Sequence, residues 1–317
     1  KGIRIGGDLI LAPGVTKDVT LVDCVIQGNI RNYGTGEVRF EAPQITPEST
    51  AAKPSEVYKP GATLDRTLEY GGKTVPIYRD RPLNVFSDVD FIWTGEENEN
   101  RRRLEYLGGE FRTRYGIDVS SFQGEIDWDA VADDNIDFAM VRVGFRGTGT
   151  GSLNTDKYYE QNIRGAMRAG LETGVYFFAQ AVTVEEAIEE ADYVISLLDG
   201  LDINGPVAYD WEMHDSTYRV YGTSPEMATA CAVAFCERIK DAGYTPMVYG
   251  GTYVTYMKYD QGALADYLSW YPEYKSEKSE KLCPTLVYHM DYWQFSSSRA
   301  VAGINGRVDM NIQFIRR

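Results

Sequence analysis

Apolar and polar positions along the chain change rhythm once, near residue 110. Before that point, short β-prone runs at 8–11, 19–27 and 37–40 are separated by Gly, Asn and Pro, and none shows a 3.6-residue period. Such a texture predicts short strands joined by turns. Residues 41–61 hold Pro43, Pro47, Pro54 and Pro60 among Ser, Thr, Ala and Lys, a composition that favours a linker or long loop. More strand-like pieces follow at 74–78, 83–86 and 89–93, up to a polar run at 95–103. The stretch 95–114 is therefore the expected boundary between a small β-rich N-terminal module, residues 1–105, and a larger domain, residues 111–317.

In the larger domain, apolar runs of strand length at 115–119, 138–143, 174–179, 206–209 and 246–249 alternate with helical patterns. That order is the signature of βαβ units and a parallel sheet. One helix opens at Thr183, with Glu186 three residues later as a capping box, and carries Ala187, Ile188, Ala191, Val194, Ile195 and Leu198 on one face before stopping near Gly200. Another starts at Ser224-Pro225, buries Met227, Ala230, Cys231, Ala234 and Phe235, and ends at Gly243. After Gly250 the alternation gives way to shorter β-like pieces around 267–271, 285–289, 292–295 and 307–314. About eight strands with fewer than eight helices predict an α/β barrel.

Composition narrows what such a barrel could do. With 43% hydrophobic and 25% charged residues, the chain has an ordinary globular make-up. No apolar run approaches the roughly 18 residues of a membrane span, so none is expected. Acidic residues outnumber basic ones 47 to 32, and a net charge of −15 repels phosphate backbones, which argues against nucleic acid as a partner. Most of that charge lies on residues 111–317. Only His214 and His289 are present, and Cys24, Cys231, Cys236 and Cys283 are scattered. No zinc-like spacing results, so neither a metal nor another cofactor is expected. Cys231 and Cys236, five apart on one helix and turned roughly 140° from each other, read as small buried hydrophobes.

In α/β barrels the chemistry sits at the C-terminal ends of the strands. Four acids fall there: Asp118, Asp210, Glu212 and Asp309. Asp210 and Glu212 stand at i and i+2 on one strand, so they share a face about 6–7 Å apart. Two carboxyls flanking one bond suit glycoside hydrolysis without a metal, one delivering a proton and the other facing the oxocarbenium-like centre. Placing two like charges on one buried face is costly unless function requires it. With 23 tyrosines, 12 phenylalanines and 5 tryptophans, flat faces for sugar stacking are plentiful, and the strand-end rings Tyr176, Phe178, Tyr249, Trp270 and Trp293 are the candidate platforms.

These residues lie in strings with a familiar order: YGIDVSSFQGEIDW (115–128), FAMVRVGFRG (138–147), Asp156 and Asn162, AGLETGVYFFAQA (169–181) followed by EEA, VAYDWE (207–212) and WQFSSSRAVAGINGRVDMN (293–311). Together they resemble glycoside hydrolase family 25, the muramidases called Chalaropsis-type lysozymes, over residues 114–317 and over nothing before them. The resemblance implies an irregular TIM-like barrel of the (β/α)5β3 kind that cleaves the β-1,4 bond between N-acetylmuramic acid and N-acetylglucosamine in peptidoglycan. It implies Glu212 as general acid and Asp210 as the carboxylate that stabilises the anomeric centre or orients the 2-acetamido group. Asp118 and Asp309 match the remaining acids of the cleft, while Tyr176, Trp270 and Trp293 fall where the family places rings near the sugar. Peptidoglycan glycan strands are the implied partner, and secretion or wall association the implied location, with any signal peptide outside this sequence. The residues leave two other readings open: a barrel kept only as a glycan-binding module, and a hydrolase of another N-acetylated polymer such as chitin. For residues 1–105 the sequence does not choose between a wall-binding module, a spacer and an oligomerisation element.

Overall fold

The computed structural model describes residues 53–95 and 101–317, and within 1–52 residues 16 and 17 and the backbone of short strands. Cys24 and the 42–52 part of the expected linker lie outside the described residues. The chain divides into two compact units, Lys1–Ala51 and Ala52–Arg317.

In the first unit the described strands pair in parallel: Arg4–Ile5 with Val25–Ile26, Leu9–Leu11 with Ile30–Asn32, and Val19–Val22 with Val38–Glu41. Paired residues stand 21, 21 and 19 positions apart. Tight hairpins cannot produce parallel pairing. The β-prone runs were legible from their composition. The offset that pairs them is visible only when Gly7-Asp8-Leu9 is set beside Gly28-Asn29-Ile30.

The second unit holds a closed barrel of eight strands: β1 (Phe111–Val119), β2 (Phe138–Arg146), β3 (Glu172–Ala179), β4 (Val207–Trp211), β5 (Pro246–Tyr249), β6 (Leu268–Pro272), β7 (Tyr292–Arg299) and β8 (Val308–Arg316). Neighbours from β1 to β7 run parallel, whereas β8 runs antiparallel to both β7 and β1 and so closes the ring. Helices α1 (Trp128–Asp133), α2 (Tyr159–Arg168), α3 (Val184–Leu197), α4 (Pro225–Asp241) and α5 (Thr252–Met257) follow the first five strands in turn. The caps read from the sequence are in place: Thr183 accepts from the Glu186 amide, and Ser224 accepts from the Met227 amide. Strand β4 is buried along its whole length, as both faces of a parallel barrel strand require. Its Tyr209 and Trp211 join the outer layer with Ala187, Ala191, Val194, Cys231 and Phe235 of the helices. Phe138, Met140, Ala208, Met247, Tyr249, Trp270 and Tyr292 fill the lumen.

Residues 285–289 do not form a strand. Only one isolated bridge, Leu83 to Tyr288, occurs there, because the segment serves as a dock for the chain that precedes the barrel. Asn84 donates its amide to the Val287 carbonyl and its side-chain nitrogen to the carbonyls of Pro284 and Leu286, and the His289 amide donates to the Pro82 carbonyl. Two hairpins lead into this dock. Leu64–Tyr70 pairs with Lys73–Tyr78 through Gly71-Gly72, both at positive φ, and Phe91–Thr94 pairs with Arg103–Tyr106. Ile77, Phe91, Trp93 and Leu104 are buried in the same core as the outer barrel layer. Phe91 meets Trp293 edge-on at 5.4 Å, and Trp93 meets Phe295 at 6.0 Å. Buried Arg81 donates to Gln261 Oε1 and to the carbonyls of Leu264 and Tyr267 at 2.7–3.0 Å. The boundary expected at 95–114 thus falls inside the second unit, and the compact division comes at 51/52.

A chain cut to residues 111–317 loses the cover over Trp293, Phe295 and Phe314 and the guanidinium that satisfies the 264 and 267 carbonyls. We expect it to melt well below residues 53–317 in a thermal scan. In the longer chain, Leu104→Ala at a fully buried position should cost about 2–5 kcal/mol.

Candidate active site

Barrel closure sets Asp118 of β1 directly opposite Asp309 of β8. Cβ atoms of such a pair stand about 4.5–5.5 Å apart, so two ionised carboxylates would repel strongly. The side chains instead hydrogen-bond to each other. Burial, and after it the Asp118 charge, pushes the Asp309 carboxyl up to about 8. Burial raises Asp118 as well, but the bonds it accepts act in the opposite direction. Gln294 Nε2 donates to its Oδ2 at 2.9 Å and Asn311 Nδ2 at 2.8 Å. The shared proton therefore belongs to Asp309, and Asp118 is the accepting partner.

Both amides carry the network into the lumen. Tyr249 and Tyr274 donate their hydroxyls to Gln294 Oε1 at 3.3 and 3.1 Å, and Trp270 Nε1 donates to Asn311 Oδ1 at 2.8 Å. Trp270 lies edge-on to Tyr249 at 4.9 Å and to Tyr176 at 5.8 Å. Nearly all of the Trp270 ring is buried, which makes it the floor of the site rather than an open platform.

Asp210 and Glu212 leave the end of β4 on the lumen side, while Trp211 between them turns outward and donates Nε1 to the Ala181 carbonyl at 3.1 Å. Asp210 is buried, its Oδ1 has no hydrogen-bond partner, and it pairs in register with Phe178 on β3 and Tyr249 on β5. Burial first, then the charges of Glu212 and Asp118, hold its carboxyl well above the ordinary range, with Arg142 pulling the other way. Glu212 keeps 24% of its side chain exposed, and its Oε2 lies 2.7 Å from Nε2 of His214. Of the four acids it alone lines a cleft of about 400 Å³, walled by His214, Tyr249, Tyr253, Pro272 and Tyr274. A second cavity of about 440 Å³ contains none of the four acids; Tyr58, Tyr78, Glu226, Tyr256 and Asp260 line it.

The structure thus brings together Asp118, Asp210, Glu212, Asp309, Tyr176, Tyr249 and Trp270, with Phe178 half-buried beside Asp210. It does not bring Trp293 to them. Strand alternation turns Tyr292 and Gln294 to the lumen and Trp293 to the outer layer, where it is fully buried between Phe91 and Phe295 and donates Nε1 to the Glu273 carbonyl. Sequence reasoning missed Tyr274, Gln294, Asn311 and Arg142. Parity along β7 and β8 was the available signal for the two amides. For Arg142 it was a charge in the middle of an apolar strand. Tyr274 follows β6 and senses all four carboxylates: burial and then the charges of Asp309, Asp118, Glu212 and Asp210 raise its hydroxyl. Among the described residues, no group of three or more His, Cys, Asp and Glu is placed to hold a metal ion.

The model of the glycosyl hydrolases family 25 matches residues 117–304. The autolytic lysozyme of Clostridium acetobutylicum is 26% identical over 197 residues, 62% of this chain and 54% of that protein. Lysozyme M1 of Streptomyces globisporus is 27% identical over 201 residues, 62% of this chain and 66% of that protein. The chain therefore spans just over half the length of the clostridial relative. Among solved structures, a bacterial lysozyme of Streptomyces coelicolor superposes with a TM-score of 0.51 at 25% identity, covering 62% of this chain and 90% of that one. The spore cortex lytic enzyme SleM of Clostridium perfringens superposes with a TM-score of 0.55 at 22% identity, covering 63% and 67%, a likeness of fold.

The carboxyl pair has a pH signature. Asp309 binds its proton more tightly folded than unfolded, so its contribution to stability is complete below about pH 4 and is lost as pH rises through about 8. Asp309→Asn should flatten that decline, by at most about 1.4 kcal/mol per pH unit. Denaturant titrations of both proteins from pH 4 to 9 measure it; parallel curves would contradict the shared proton.

Proposed function

Because the chain belongs to the glycosyl hydrolases of family 25, we propose that it is a lysozyme-type peptidoglycan hydrolase that cleaves the β-1,4 bond between N-acetylmuramic acid and N-acetylglucosamine. The carrying observation is that Glu212, alone of four clustered acids, opens onto the cleft while Asp210, two residues back on the same face, is buried beneath it. A solvent-facing acid can reach a leaving oxygen, and a buried carboxyl oxygen with no partner of its own can accept from the 2-acetamido N–H of the bound sugar. The named relatives are lysozymes, and one fold neighbour, the pneumococcal autolysin LytC, has been solved with a synthetic peptidoglycan ligand. With that substrate, action outside the cell or at the wall follows; no described helix is long and apolar enough to cross a membrane. Five strand–helix pairs followed by three strands fit the (β/α)5β3 description.

In this reading Glu212 protonates the glycosidic oxygen as the bond to the leaving sugar breaks, and later takes a proton from the attacking water. Asp210 Oδ1, orphaned in the free protein, gains a partner in the substrate: the 2-acetamido N–H, whose carbonyl oxygen is thereby turned toward the anomeric carbon. Two displacements result, and configuration is retained.

Glu212→Gln keeps the shape of the side chain but has no proton to deliver. It should lower turnover of purified peptidoglycan by about 10² to 10⁴ with an unchanged melting temperature. Reducing-end analysis of the products, with chitin digested in parallel, identifies the bond; turnover within a few-fold of the unsubstituted chain would sink the role of Glu212. Proton NMR of the first-formed anomer from a short glycan should show β, and an initial α product would rule out retention.

A further inference from the structure

We propose that Arg142 forms a subsite for the acyl oxygens of the 3-O-lactyl substituent, and so is the residue that separates muramic acid polymers from chitin. The proposal rests on the peptidoglycan reading above and adds the group that recognises the muramyl side chain.

Arg142 stands on the lumen face of β2 near its C-terminal end, in register with Tyr176. A bulge between Arg142 and Gly144 inserts one residue, which brings Phe145 to the same side. The guanidinium lies 5.1 Å from the Phe122 ring and 5.5 Å from the Phe145 ring. One edge is anchored: Nε and Nη2 donate to Asp156 Oδ2 at 3.0 and 2.8 Å, and Nη2 donates to Ser121 Oγ at 3.2 Å. Asp156 is fully buried and fixed in turn by the amides of Ser121 and Tyr158. Among the described residues the third nitrogen, Nη1, has no hydrogen-bond partner, and 14% of the side chain stays open to solvent, while the Phe122 ring beside it is 85% exposed.

Stacked rings, a buried carboxylate and a hydroxyl thus hold the group rigid while one donor edge is left free. Rigid placement of a donor favours binding, since little freedom is lost when the ligand arrives. Phe145, on the same side of β2, pairs with Phe178, which pairs in turn with Asp210, so Arg142 stands on the stretch of lumen wall that leads to the sugar Asp210 would orient, and its charge acts on that carboxyl. A guanidinium only donates, so its complement is a group that only accepts. N-acetylglucosamine and N-acetylmuramic acid differ by such a group at O3: the lactyl carboxylate, or its amide carbonyl when a peptide is attached. In a chain of net charge −15 with four acids at this mouth, a polymer bearing carboxylates meets repulsion that a fixed cation relieves.

The test measures dissociation constants by calorimetry with Glu212→Gln as background, so that ligands survive. Three ligands are compared: a GlcNAc–MurNAc tetrasaccharide with free lactyl carboxylates, the same glycan with peptide-amidated lactyl groups, and tetra-N-acetylchitotetraose. Arg142→Lys, and Arg142→Gln with Asp156→Asn to avoid an unpaired buried carboxylate, should weaken both muramyl glycans by about ten- to a hundredfold, with chitotetraose changed by less than about threefold. A larger loss for the free acid than for the amide assigns the contact to the carboxylate; equal losses assign it to the carbonyl. Arg142→Lys retains a cation for Asp156 and decides the matter if the double variant does not fold. Equal weakening of all three ligands, or of none, overturns the subsite alone. Failure of the background protein to bind any muramyl glycan overturns the peptidoglycan reading and the subsite with it.

Discussion

Eight strands close into this barrel only if β8 pairs with β1, and that pairing sets two carboxyl groups against each other. Two ionised groups at that spacing would pull the seam apart, so a single proton, held by Asp309, makes closure and chemistry compatible. The consequence spreads beyond the pair. Asp118 accepts from Gln294 and Asn311, which directs the oxygens of those amides toward Tyr249, Tyr274 and Trp270. The orientation of three rings in and around the cleft is thus tied to one protonation state, because an amide that reversed to suit a different partner would face its neighbour with the wrong group. Aromatic floor and acid pair form one hydrogen-bonded unit.

Much of this was legible in the sequence because it rests on local rules. Periods of 2 and 3.6, Thr183 and Ser224 as caps, and an acid-x-acid at the end of an apolar run identified the barrel strands, two helices and the pair Asp210 and Glu212. Harder to read was anything that depends on which way a strand faces. Trp293 was grouped with the sugar-facing rings for its position near a strand end, yet parity with Tyr292 and Gln294 turns it outward. Residues 285–289 look like a strand by composition, but their carbonyls are occupied by Asn84, a partner two hundred positions away that no local pattern shows. The parallel pairing in residues 1–51 was hidden for a related reason: its period is about twenty residues, longer than the windows that reveal strands and helices.

Residues 53–110 blur the distinction between appendage and scaffold. They lie before the matched family region, and yet their apolar side chains cover the outer surface of β7 and β8, the strands that carry Gln294, Asp309 and Asn311. A hairpin packed on the back of a strand restricts how the front can move. Positions in the site therefore depend on side chains such as Phe91 and Trp93 that never face the lumen.

Glu212 illustrates how the fold divides fixing from freedom. Its side chain, just past the end of β4, is more open than that of Asp210, as the proposed proton delivery requires, but its backbone is fastened from behind. Gln180 Nε2 donates to the Glu212 carbonyl, the Gln180 amide donates to buried Glu190, and Glu190 is paired with Arg146 at 2.7 Å. Arg219 adds a bond to the Gln180 carbonyl while bridging Glu186. Ion pairs this deeply buried contribute little net stability once desolvation is counted, so their value lies in geometry. Trp211, locked outward by its bond to Ala181, prevents the strand from rolling. An acid on a freely moving loop would sample many distances to the glycosidic oxygen, and rate falls steeply with misplacement of about 1 Å. Anchoring the main chain of Glu212 while leaving its carboxyl in the cleft satisfies both demands at once, and the residues that do so, from Arg146 to Arg219, lie on the helix side of the barrel wall rather than in the site they steady.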